Sequence, residues 1–191
     1  MSSIAGHAAA GLTAYLCCNR WRNTQSRGTA ALFVALAIAP DVDYLAVWLF
    51  EYTANPRFTH SLSFALALVL IIHRVRSRCV TASVKFRWLL FAGTSHAFLD
   101  LLVGAHPVPL FWPIGEGVTM PIGVLPSAGS LAPGNFYLWR NLLIELGVLS
   151  PAFALLVAVS RRPPARRPVF WMLVIAPVWA LFVVWSVALS R

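Results

Sequence analysis

Charge is scarce in this chain: of 191 residues, 11% are Asp, Glu, Lys or Arg, and only six are acidic. A soluble domain is about a quarter charged and about half apolar. Here 59% of residues are hydrophobic and the mean hydropathy is +0.75. Such a balance excludes a disordered or collagen-like chain and a coiled coil, and it argues against a water-soluble globule. Cysteine is scarce too. Cys17, Cys18 and Cys79 form neither an even disulfide framework nor a metal-type pair spacing, which excludes a disulfide-stapled secreted scaffold. A basic segment ahead of the first apolar stretch is also missing, so residues 1–18 read as part of the fold rather than as a cleaved signal peptide.

What the chain has in abundance is apolar sequence, in stretches at 4–18, 29–50, 60–73, 86–104, 141–159 and 168–189. Crossing a hydrocarbon core of about 30 Å takes about 20 residues. The first and third stretches are shorter than that, and would be extended by flanking residues, tilted, or packed inside the bundle. The expected fold is all-α, a multi-pass membrane bundle of six helices forming a single domain over 1–191, with a C-terminal helical hairpin over 141–189.

The cations set the orientation. Arg20, Arg22 and Arg27 lie in loop 19–28; Arg74, Arg76, Arg78, Lys85 and Arg87 in loop 74–87; Arg161, Arg162, Arg166 and Arg167 in loop 161–167. These are twelve of the 15 cations, and a six-pass path puts all three loops on one side, the cytoplasmic side by the positive-inside rule. Both termini then face outward. The formal charge of +9 is thereby explained by topology, and no nucleic-acid partner is expected. All six acids (Asp41, Asp43, Glu51, Asp100, Glu116 and Glu145) fall at outward helix ends or in outward loops, and the cysteines fall at the reducing cytoplasmic side. Residues 104–135 contain six Gly, six Pro and one charge, Glu116, and are expected to form an outward loop over whatever site the bundle holds.

An ionisable group inside a membrane segment costs about 2.5–3.5 kcal/mol or more at the helix centre, so it needs a partner or a function. His7, Asp41, Asp43, His60, His96 and Asp100 all pose that question. His96 and Asp100 are at i, i+4, on one helix face. Asp41 and Asp43 are at i, i+2, about 200° apart on a regular helix, so both converge only if Pro40 or a helix end breaks the regularity. The topology brings these groups, from four helices, to one membrane depth. Imidazole with carboxylate suits zinc or a similar metal. A proton or ion pathway and a structural polar cluster are the alternatives. Asp41 is the expected primary ligand, with Asp43 behind it or in a second site.

Arg57 and Arg140 are the outward cations besides Arg191, suited either to phosphate or to interfacial snorkelling. Asn141 and Glu145, at i, i+4, would add or orient a ligand, or cap a helix. His73 and His106 read as interfacial polar residues.

His7, P-D-x-D (Pro40–Asp43), R-x-T-H-S (Arg57–Ser61), G-x-S-H-x-x-x-D (Gly93–Asp100) and G-x-x-P-x-x-x-x-W-P (Gly104–Pro113), in that order, resemble the YdjM family. Its members are described as LexA-binding, inner-membrane-associated metal-dependent hydrolases. The family is in turn similar to the all-α zinc phospholipase C and single-strand nuclease superfamily. That likeness implies zinc held by Asp41, His60, His96 and Asp100, with His7 and Asp100 helping to hold a second ion. The superfamily's third zinc uses a further His and an H-x-x-x-E, which this chain lacks after Asp100, so one or two ions are expected. The resemblance also implies a bacterial inner-membrane location, where the charge-derived topology would face the site to the periplasm. The substrate would be a phospholipid or isoprenoid-phosphate-like ester, cleaved by a metal-activated water with Asp43, Arg57 and Arg140 as catalytic residues. The rival readings are a scaffold that binds protein through the basic loops 74–87 and 161–167, and an ion-coupled transporter.

Overall fold

The computed structural model describes residues 2–18, 27–51, 56–79, 84–127, 134–161 and 166–189, giving the backbone alone for 77–79, 161 and 166–172. Among the described residues the chain is helical and has no strand. The helices are α1 (Ile4–Cys18), α2 (Arg27–Ile38), α3 (Asp43–Phe50), α4 (Leu62–Cys79), α5 (Phe86–Val103), α6 (Phe136–Arg161) and α7 (Arg166–Ala188). A 3-10 turn at Ala39–Val42 joins α2 to α3 in one run, Arg27–Phe50, so the helices form six rods, the expected number. Arg20, Arg22, Arg162 and Arg191 lie outside the described residues.

The rods alternate in direction. Links from Ser2 to Asp100, His60 to Asp100, Asp41 to His96 and Ser3 to Glu145 tie the starts of α1 and α4 and the N-terminal half of α6 to the Ala39–Val42 turn and to the end of α5. Ser186, near the end of α7, joins the same end by donating to the Val124 carbonyl at 2.6 Å. Both described ends of the chain therefore sit at one end of the bundle. Arg27, Arg74, Lys85 and Arg87 occupy helix ends at the other.

Near that basic end, Ala14, Cys17, Phe33, Leu36, Val69, Leu89 and Ala92 form one buried apolar cluster. Ala10, Leu99, Val103, Leu125, Ile144 and Val148 form another, toward the end of α5. α1 is central, packing on α2, α5 and α6. A Cβ at Gly11 would sit 2.6 Å from the Phe33 carbonyl oxygen, so glycine there permits the close approach of α1 and α2.

The largest departures from the bounds read in the sequence are the end of α4 and the start of α6, while the break at Pro40 is one the sequence allowed. α4 runs to Cys79 rather than 73, because Arg sustains a helix as well as apolar residues do, although it ends a hydropathy run. α6 starts at Phe136 rather than 141, taking Phe136, Tyr137 and Trp139 into its first turns. The Arg27–Phe50 run is broken at Pro40, whose missing N–H and fixed φ favour a new start over a continued helix. Residues 104–127 of the expected outward loop are non-helical. They are pinned by an antiparallel Val108–Val118 bridge, by Leu62 N–H on the Leu110 carbonyl (3.0 Å) and by Ser63 Oγ on the Trp112 carbonyl (2.7 Å). Among the described residues, Arg27–Phe50 and Phe136–Ser160 are long and apolar enough to cross a membrane. Ile4–Cys18 and Leu173–Ala188 are shorter apolar helices.

Candidate functional site

Each local structure presents its polar group to the same end of the bundle. Ser3 caps α1, its Oγ accepting the Gly6 N–H at 3.0 Å, and His7 follows one residue later. The 3-10 turn supplies Asp41, and the first residue of α3 is Asp43. A second short 3-10 turn, Phe58–His60, ends in His60. Ser61 then caps α4, accepting the Phe64 N–H at 3.2 Å. On α5, His96 and Asp100 stand one turn apart and buried, as their spacing predicts.

All five expected ligands meet. His60 Nδ1 is 3.0 Å from Asp100 Oδ2 and 3.1 Å from His96 Nε2. His96 Nε2 is also 3.5 Å from Asp100 Oδ2 and 3.6 Å from Asp41 Oδ1. His7 stacks on His96 with ring centroids 3.8 Å apart, and its Nε2 is 3.5 Å from the other Asp100 oxygen, Oδ1. Two groupings of metal-ligand type result, His7 with Asp41 and His96, and His60 with His96 and Asp100. Asp100 therefore turns one carboxylate oxygen toward His7 and the other toward His60 and His96.

The imidazoles are oriented from behind. His96 Nδ1 donates to the Ala37 carbonyl at 2.9 Å, which leaves Nε2 as the nitrogen that faces the cluster. Asp43 stands behind His60, its Oδ2 3.5 Å from His60 Nε2. Within the described residues, neither His7 nitrogen nor His60 Nε2 has a hydrogen-bond partner, although all three are buried. Buried polar atoms are normally paired, so the two His7 nitrogens fit a group that the protein itself does not provide.

The charges fit a cation. Arg57 grips Asp43 with both arms of its guanidinium, Nε lying 2.8 Å from Oδ2 and Nη2 closing on Oδ1, and Thr59 Oγ1 donates to Oδ2 at 3.0 Å. Arg57 also lies over the Tyr44 ring. Burial lowers the basicity of Arg57, but its hydrogen bonds to Asp43 and Tyr44 outweigh this and hold the guanidinium charged. Asp43 is held by Arg57, and Asp41 and Asp100 are the carboxylates that face the imidazoles. Nitrogen and oxygen donors gathered in this way suit a divalent ion such as zinc.

Other sequence candidates lie apart. Arg140 donates to Asn141 Oδ1 (3.1 and 3.0 Å) and covers the Tyr137 ring, while Asn141 donates to the Ser127 carbonyl at 2.8 Å. His73 packs on Phe86 in the basic half of α4, and His106 and Glu116 are exposed in the loop. Ser2, Ser3 and Glu145 join the site's edge. The Ser2 N–H donates to Asp100 Oδ1 at 2.9 Å, and Glu145 accepts from Ser2 Oγ and from the Ser3 N–H. Sequence spacing does not pair Ser2 and Ser3 with a residue more than 140 positions away; only the N-cap value of a serine ahead of an apolar helix was readable.

No curated protein and no solved structure matches the chain. A family model does, along nearly its whole length: residues 1–189 match the YdjM inner membrane protein family, and the chain belongs to that family.

Proposed function

We propose that this protein is a multi-pass, metal-dependent hydrolase of the bacterial inner membrane that cleaves a phosphoester of a lipid-type substrate at the periplasmic face. The observation that carries this reading is the convergence of His7, Asp41, His60, His96 and Asp100 from four separate segments, with both His7 nitrogens buried and without a hydrogen-bond partner. His60, His96, Asp100 and Asp41 would hold one zinc, and His7 with Asp100 Oδ1 would help to hold a second. A divalent ion there supplies a water acidified toward a pKa of about 7 and a Lewis acid for the phosphoryl group.

The protein's own groups do the rest. The Ala37 carbonyl and Asp43 fix which nitrogen His96 and His60 turn to the site. That gives Asp43, held by Arg57 and Thr59, the role of a positioning residue. Among the carboxylates facing the cluster, Asp41 is the more exposed and Asp100 is buried, which makes Asp41 the better placed to take a proton from water.

The lipid-type substrate is supported by what surrounds the more open side. Asp41, Asp43 and Arg57 are the less buried members of the site, and they adjoin α3, in which no residue is buried and Leu45, Trp48, Leu49 and Phe50 are exposed. Exposed apolar surface of this kind marks contact with lipid or a partner. The periplasmic orientation is supported by the separation of the site from Arg27, Arg74, Lys85 and Arg87 at the other end of the rods. The test is hydrolysis of phospholipid and isoprenoid-phosphate substrates by purified protein, with and without chelator. Wild type should turn over one class and regain activity when zinc is restored, whereas His60→Ala should do neither. Equal rates in the two proteins would overturn the reading.

A further inference from the structure

Glu145 is 1% exposed and lies within the apolar helix α6, yet it does not belong to either metal-ligand grouping. A carboxylate buried in an apolar segment requires strong partners or a function. Its partners come from the far end of the sequence. Ser2 Oγ donates to Oε1, and the Ser3 N–H is shared between Oε1 and Oε2 at 3.1 and 3.2 Å.

Two consequences reach the site through this hook. The Ser2 N–H is placed on Asp100 Oδ1 at 2.9 Å, the carboxylate oxygen that faces His7. The first turn of α1 is seated as well. Ser3 caps it through the Gly6 N–H, and a Cβ at Gly6 would come within 2.9 Å of Ser2 Oγ and 3.0 Å of Glu145 Cδ. A carboxylate at a helix N-terminus is also favoured by the helix dipole. His7 is the next residue along, stacked on His96.

We propose, resting on the metal-centre reading above, that Glu145 is a positioning residue for that centre: it holds the Ser2–Ser3 hook, and the hook orients Asp100 and sets His7 against α5. Outer partners of this kind typically change metal affinity by about 10–100-fold when altered.

The test is zinc affinity of the full-length, detergent-purified chain by chelator competition, together with the absorption spectrum of the cobalt(II)-loaded protein. Glu145→Gln, which keeps the side chain's size, should weaken zinc by about 10–100-fold and shift the cobalt bands. Ser2→Ala, which removes one hydroxyl and leaves the helix interiors intact, should weaken it less, in the same direction. A purely structural Glu145 would lower the thermal midpoint while leaving zinc affinity and the cobalt spectrum at wild-type values, and that result in folded Glu145→Gln overturns the proposal. Should that variant fail to fold, wild-type zinc affinity and an unchanged cobalt spectrum in Ser2→Ala overturn it instead. A wild type that takes up no metal overturns the metal centre itself, and the positioning role with it.

Discussion

Near the start of α5, Trp88, Leu89 and Ala92 pack into an apolar cluster with Ala14, Phe33, Leu36 and Val69. About two turns further along, the same helix carries His96 and Asp100 among His7, Asp41 and His60. One half of the bundle is held by the packing of apolar side chains. The other gathers buried carboxylates and imidazoles that packing alone does not stabilise. The polar groups are thus confined to one end of the rods, where a second apolar cluster that includes Leu99 and Val103 flanks them.

That separation predicts opposite responses to substitution. Leu89→Ala, at a fully buried position, should cost roughly 2–5 kcal/mol and lower the thermal midpoint equally with and without zinc. Asp100→Ala should keep the zinc-free fold but abolish stabilisation by zinc, which for a bound site is about 2.7 kcal/mol at a hundredfold excess over Kd. If Asp100→Ala destabilises the metal-free protein as much as Leu89→Ala does, the two halves are not separate in this sense. A smaller effect sharpens the boundary. Asp43→Asn keeps the shape behind His60 but loses the carboxylate held by Arg57, and should weaken zinc by about 10–100-fold without eliminating it. Arg140→Ala, whose partners are Asn141 and Tyr137, should leave zinc affinity unchanged in the same titration.

The sequence made the two halves unequally legible. The i, i+4 spacing of His96 and Asp100 put both on one face, and Pro40 marked where a broken helix could let Asp41 and Asp43 converge; Asp41 lies by His96 and Asp43 by His60 and Arg57. Six rods with alternating ends followed from hydropathy and the placement of charge. What stayed hidden was long-range pairing. Arg57 is free for phosphate as far as spacing can say, and only tertiary structure turns it onto Asp43. Likewise, no local pattern connects Ser2 and Ser3 to Glu145, since hydrogen bonds between distant residues leave no periodicity. The end of α4 was misplaced because hydropathy falls at Arg74 while backbone hydrogen bonding continues to Cys79.

The most direct test of the central claim is the metal content of the purified chain by mass spectrometry, measured for wild type beside the His60→Ala, Asp100→Ala double variant. The convergence of His7, Asp41, His60, His96 and Asp100 predicts one or two zinc ions per wild-type chain and none in the double variant. Wild type that holds no stoichiometric metal even after reconstitution, or a double variant that retains it, would contradict the account.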